Sequence, residues 1–253
     1  MASCQPPTFA DRGTIGTHPY RLRQSARAKH ISIKISPYGE IEVVTPRQFD
    51  PQKLPAILRQ KQAWIEQTLA RLAHQRQAIA PDLTSAQPGQ IDLRALDESW
   101  ELVYLLNSRD RLQVTPLNSR QLAVVGPSDN LKLCQAGLQK WLKRKASLVL
   151  PNWLSQISQR AQLPYQRVSV RGQKSRWGSC SSQQNISLNY KLLFLPPPLV
   201  TYVLVHELCH TLQMNHSAAF WRLVEQHLPD YAIHRQQLKQ AWQYIPQWLE
   251  QQM

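Results

Sequence analysis

With 253 residues the chain can hold one sizeable domain or two small ones, and its 42% hydrophobic content is ordinary for a globular protein. Its 30 Lys and Arg against 16 Asp and Glu leave a net charge of +14, which favours anionic partners such as nucleic acid, nucleotides or acidic peptides. Four scattered cysteines with no C-x-x-C pair argue against a disulfide framework and for reduced thiols in the cytoplasm, and neither a signal peptide nor an apolar run of about 18 residues points to a membrane.

Residues 1–18 are polar, carry Pro6-Pro7, and read as a flexible tail. Strands are expected over about 19–45. A helix follows over 51–80, with Leu54, Ile57, Leu58, Trp64, Ile65, Leu69 and Leu72 at helical spacing; Trp64 reads as core with the rest. Residues 81–89 read as a loop, and 100–106 and 122–125 as further strands. A long helix is expected over about 129–161, kinked or divided by Pro151 near Leu150. Its Lys140, Lys143, Arg144 and Lys145 form a charge cluster whose default place is solvated helix surface.

The stretch 168–182 passes from an alternating run into a basic loop, and 185–190 alternates again, so it reads as two strands with a cationic connection. Arg171, Lys174 and Arg176 lie in that connection beside Gly172 and Gly178, three cations in six residues, and are candidate substrate-binding groups for a polyphosphate. The alternative is a structural loop paired with acidic neighbours or solvent. The Gln-rich end of the chain reads as helical, with Trp242 and Trp248 as packing anchors.

Between these parts stands His206-Glu207-Leu208-Cys209-His210, an H-E-x-x-H sequence, with His216 six residues further on. Residues four apart on a helix share a face, so His206 and His210 can offer imidazole nitrogens to one ion. Glu207 lies about 100° round the helix, where it can reach a water held by the metal without being a ligand itself. A continuing helix would carry His216 roughly 15 Å along the axis, so the helix must stop after His210. Met214-Asn215 is the expected stop, because Asn tolerates left-handed backbone, and Ser217 is the expected N-cap of the next helix. His216 then swings back as third ligand, and three protein ligands leave a fourth position open, as in catalytic zinc sites.

The five-residue pattern arises at random in roughly one chain per hundred of this composition. Its surroundings raise its weight. Leu199, Val200, Val203, Leu204, Val205, Leu208 and Leu212 make the segment apolar on most sides, and a buried helix has little reason to carry two histidines and a carboxylate unless something neutralises them.

Lys174 to Cys180 (K-S-R-W-G-S-C), Asn185 to Asn189 (N-I-S-L-N), the leucine- and proline-rich 192–197, Val205 to His210 and Asn215 to Trp221 (N-H-x-x-x-F-W) occur in that order. In this the sequence resembles the YgjP-like metallopeptidase family. The sharp matches cover about a third of the chain, and 20–43 resembles the family's N-terminal strands more loosely. The resemblance implies a zincin-like fold with His206, His210 and His216 as zinc ligands and Glu207 as catalytic base. The metzincin pattern fits less well, since Gln213 stands where its glycine belongs.

The expected fold is α+β, with a β-rich part at 19–135 and a zincin-like catalytic part at 136–249. The leading functional expectation is a cytoplasmic, zinc-dependent metalloendopeptidase acting on proteins or peptides through a Glu-activated water, with Tyr190, Arg176 and His234 as candidate oxyanion donors. The resemblance also carries an alternative, nucleoside triphosphate pyrophosphatase activity on UTP at the same metal site, although no P-loop or carboxylate cluster for magnesium is evident. A third reading is a DNA-associated protein-processing module, since SprT-like proteases resemble this chain at the metal-binding helix and the charge admits nucleic acid.

Overall fold

The computed structural model describes residues 12–36, 39–77, 85–107, 111–173 and 176–249. The chain divides into two compact units, 1–81 and 82–253. The boundary expected near 135 falls inside a helix, Leu131–Ala161, so the second sheet belongs to the same unit as the histidines.

In the first unit, strands β1 (Arg12–Ile15), β2 (His18–Gln24), β3 (Ser32–Ile35) and β4 (Ile41–Thr45) form a sheet of order β1-β2-β4-β3. β2 and β4 run parallel, while β1 and β3 pair antiparallel to their neighbours. β1 corrects the expectation of a tail for residues 12–18: it folds back on β2 through a tight turn at Gly16, whose φ of +58° suits glycine, and buries Ile15. Residues 1–11 of the expected tail lie outside the described residues.

Asp50 opens the following helical turn by accepting a hydrogen bond from the Gln52 backbone N–H at 3.0 Å. The chain then enters α1 (Leu54–Gln77). Leu54, Leu58 and Ile65 bury one stripe of α1 against Ile15, Ile41 and Val43 of the sheet. Trp64, expected in the core, is 47% exposed, whereas Ile65 beside it is 0% exposed; the apolar stripe is narrower than the list of apolar residues. With Ile31, Ile33, Ile57 and Lys61, Trp64 lines a shallow cleft instead.

The second unit opens with β5 (Gln90–Leu93), β6 (Glu98–Leu106), β7 (Gln113–Pro116) and β8 (Gln121–Gly126), in order β5-β6-β8-β7. Asn130 caps α2 (Leu131–Ala161), its side chain accepting from the Leu133 N–H. α2 runs through Pro151 undivided, because packing outweighs the lost hydrogen bond: Leu138, Leu142, Leu150 and Leu154 are all fully buried along one side. Of the charge cluster, Lys140, Lys143 and Arg144 are exposed. Lys145 instead pairs with Glu98 at 2.8 Å beside Trp100.

A third sheet follows, with β9 (Arg167–Arg171), β10 (Gly178–Cys180) and β11 (Asn185–Asn189) in order β10-β11-β9. β10 falls in the stretch expected to be a cationic loop, since Gly, Ser and Cys carry no strand pattern; its pairing with Ile186 to Leu188 makes it an edge strand. After a buried helical turn at Tyr190–Phe194 come α3 (Pro197–Cys209), α4 (Ala218–His227) and α5 (Tyr231–Leu238), then two short turns at Ala241–Tyr244 and Gln247–Leu249. Trp248 is buried in the core, and Trp242 stacks on Trp177 at 4.1 Å. The fold is α+β, as expected.

Large-to-small changes should separate the two neighbouring residues of α1. Ile65→Ala should cost about 2–4 kcal/mol in denaturant unfolding, and Trp64→Ala less than half as much; equal losses would contradict the placement of the core stripe.

Candidate metal centre

Pro197 and Pro198 occupy the first positions of α3, where their missing N–H groups cost nothing and their φ is already helical. The helix then buries Leu199, Val200, Val203, Leu204, Val205 and Leu208, so its histidines and glutamate are held in an apolar body. It ends at Cys209, earlier than the expected Met214-Asn215, and backbone N–H groups of Thr211, Leu212 and Gln213 bond back to Leu208 and Cys209. Asn215 contributes through its side chain rather than left-handed backbone, accepting from the Ser217 N–H at 3.3 Å. Ser217 caps α4 as expected, accepting from the Phe220 N–H.

That turn brings His216 back. Its Nε2 lies 3.1 Å from His206 Nε2, and His210 Nε2 lies 3.2 Å from the same atom. Tetrahedral ligation with Zn–N bonds of about 2.0–2.1 Å places ligand nitrogens about 3.3 Å apart, so the three imidazoles are spaced for one ion. The tautomer agrees: His210 Nδ1 lies 2.9 Å from the Gln213 carbonyl and must donate to it, which leaves Nε2 as a bare lone pair. Lone pairs facing one another at these distances repel unless a cation lies between them. No other group of three or more His, Cys, Asp or Glu among the described residues is arranged to hold a metal.

Rings pack round the cluster. Phe220 stacks on His210 at 4.4 Å, and Trp221 stacks on His216 at 5.6 Å and on Tyr231 at 5.5 Å. Sequence reading quoted Phe220 and Trp221 as motif letters without a role; the structure makes them the wall that orients two imidazoles.

Glu207 is 5% exposed, and its Oε2 has no hydrogen-bond partner among the described residues. Its carboxylate packs on β10, where a Cβ at Gly178 would come within 2.6 Å of Oε1, so only glycine leaves room for it. Burial pushes the Glu207 carboxyl up to about 8, with Arg176 pulling the other way. Burial, then His210, His216 and Arg235, push His206 down to about 3, and burial lowers His210 as well. Both are therefore neutral at pH 7, as ligation requires.

Cys180 lines the Glu207 pocket, its thiol pushed up to about 11 by burial and by Glu207. Cys209 is a packed thiol, pushed up to about 12 by burial alone.

Of the remaining sequence candidates, Arg171 is exposed at the end of β9 and Arg176 is exposed close enough to Glu207 to act on its charge. Lys174 lies outside the described residues. Tyr190 packs over Gly172, whose Cβ would meet its ring at 2.8 Å, and burial pushes its hydroxyl up to about 12. His234 sits on α5, its Nδ1 3.4 Å from the Gln237 side-chain oxygen.

Asn189 is the residue that sequence reasoning passed over. Fully buried, it donates from Nδ2 to the carbonyls of Gln173 and Arg176, each at 2.8 Å, and accepts from the Lys191 N–H. It pins both ends of the cationic connection.

The metal-free protein should show a pH-dependent stability set by these two buried groups. Above pH 4.5 the unfolded chain releases the Glu207 proton that the folded chain keeps to about pH 8, so folding loses stability as pH rises through that window. His206 acts oppositely, and its contribution is lost as pH falls from 6.5 to about 3. In thermal unfolding of chelated protein, the stability of Glu207→Gln relative to wild type should therefore rise by on the order of 5 kcal/mol between pH 4.5 and 8, the His206 contribution being common to both and cancelling; parallel profiles for the two proteins would contradict the burial of Glu207.

A family model for the YgjP-like metallopeptidase domain matches residues 29–241. No curated protein matches the sequence. Among solved structures, a metallopeptidase zymogen of Pyrococcus abyssi, abylysin, is similar at 24% identity and a TM-score of 0.33, over 36% of this chain and 91% of that one. Since the family model spans most of the sequence and its three histidines converge, the chain belongs to the YgjP-like metallopeptidase family.

Proposed function

We propose that this chain is a zinc-dependent endopeptidase whose catalytic base is Glu207 and whose metal ligands are His206, His210 and His216. The observation that carries the reading is the packing of Glu207, next in sequence to one of the converging histidines, against an edge strand, β10. One side of β10 pairs with β11, and among the described residues no strand pairs with its other side. An extended peptide can add to such an edge through main-chain hydrogen bonds, which carries a backbone carbonyl past the carboxylate whatever the side chains are.

Zinc held by three neutral imidazoles would supply Lewis acidity, acidifying a water and polarising the carbonyl. The chain's own groups do the rest. Glu207 takes a proton at its carboxylate and can return it to the leaving amine, and its dry surroundings raise the basicity that this exchange needs. Phe220 and Trp221 hold the His210 and His216 rings in place. Arg176, exposed and acting on Glu207, lowers the carboxyl against the larger effect of burial and is the oxyanion donor that this reading favours over buried Tyr190. A cytoplasmic location is part of this proposal, supported by free thiols at Cys134, Cys180 and Cys209; no helix among the described residues is long and apolar enough to cross a membrane.

Purified protein should carry about one equivalent of zinc by elemental analysis, and His206→Ala should carry almost none; retained metal would rule out this ligand set. Zinc-loaded protein should cleave an unfolded protein substrate, and Glu207→Gln should lower kcat by about 100-fold or more with zinc content unchanged. Release of pyrophosphate from nucleoside triphosphates, lost in Glu207→Gln and unaccompanied by proteolysis, would overturn the peptidase reading.

A further inference from the structure

One cation beside the histidine cluster has no part in the chemistry above. Arg235, on α5, places its guanidinium carbon 4.2 Å from the centre of the Trp221 ring. The same indole stacks on His216 and lies 5.9 Å from His206, so a single ring links the guanidinium to two of the three imidazoles. Tyr231, one turn earlier on α5, stacks on that indole too. Arg235 is exposed and makes no ion pair among the described residues, yet its charge reaches inward far enough to act on His206 and Tyr202.

A guanidinium lying on an indole is fixed in plane while its N–H edge stays free, and that planar fork matches a carboxylate with two parallel hydrogen bonds. The stacking restricts the side chain before any ligand arrives, so less freedom is lost on binding. No acidic side chain among the described residues forms an ion pair with Arg235, so the fork is open to an anionic ligand.

We propose that Arg235 forms a carboxylate-binding subsite of the metal centre, which selects peptides bearing an Asp or Glu side chain near the scissile bond. Because one indole separates the guanidinium from the ligands and an extended chain advances about 3.3 Å per residue, the acidic residue should lie within about three positions of the cleaved bond. The proposal rests on the peptidase reading and names its substrate class. The chain's +14 charge favours the same substrates at longer range.

The test uses zinc-loaded full-length protein and peptides that differ only by Glu or Gln at each of about three positions on either side of the cleaved bond. At one position at least, the Glu peptide should be preferred about tenfold in kcat/KM, mainly through KM. Arg235→Gln should bring that ratio close to one, and Arg235→Lys, which keeps the charge but loses the fork, should retain part of it. A merely structural Arg235 would slow both peptides equally and leave the ratio unchanged, which would overturn the proposal, as would a wild-type ratio near one at every position. If Arg235→Gln fails to fold, the reduced ratio in Arg235→Lys decides. If wild type cleaves neither peptide, the peptidase reading fails by itself, and calorimetric binding of the same pair to zinc-loaded protein settles the subsite. Tighter binding of the Glu peptide, weakened in Arg235→Lys, would uphold it, and equal binding would overturn it.

Discussion

Desolvation governs this site. Glu207 and the imidazoles of His206 and His210 are carried by a helix that is otherwise apolar, so water cannot stabilise their charged forms. The histidines respond by staying neutral and the carboxyl by holding its proton. A divalent cation at the convergence of three Nε2 atoms would relieve both conditions, taking up the lone pairs and drawing Glu207 towards its ionised form. Such a site folds at a cost without its metal, and the metal affinity compensates that cost.

The surrounding elements serve that burial. Prolines at the start of α3 and the leucine-rich turn before it seat the helix. The early end at Cys209 gives the chain room to reverse and return His216. Gly178 lets a strand approach the carboxylate as closely as backbone can. Each device is short-range and lies within the second unit; the first unit's sheet and helix form their own core.

What could be read from sequence follows from the range of each interaction. The convergence of His206, His210 and His216 was legible because helical spacing is local geometry and because the offset of His216 forbids a continuing helix. The capping role of Ser217 was legible for the same reason. β1 was not, since only Ile15 among its four residues is apolar and its partner strand supplies the pattern. β10 was hidden by a composition of Gly, Ser and Cys and becomes a strand only through pairing with β11. Trp64 looked like core because apolar type was counted without its angle round the helix. Arg235 had no signal at all, because its meaning depends on an indole fourteen residues away lying beneath it.

Asn189 leaves the chain with a position that has no conservative replacement. Its amide donates to two carbonyls at the two ends of one connection while its oxygen accepts from the next turn. Aspartate has the same shape and lacks both donors, so it would set carboxylate oxygens against carbonyl oxygens in a fully buried site. Glutamine keeps the chemistry and overfills the space. The cationic connection, for all its exposed charge, thus hangs from one interior amide, and variation there is limited by hydrogen-bond polarity rather than by size or charge.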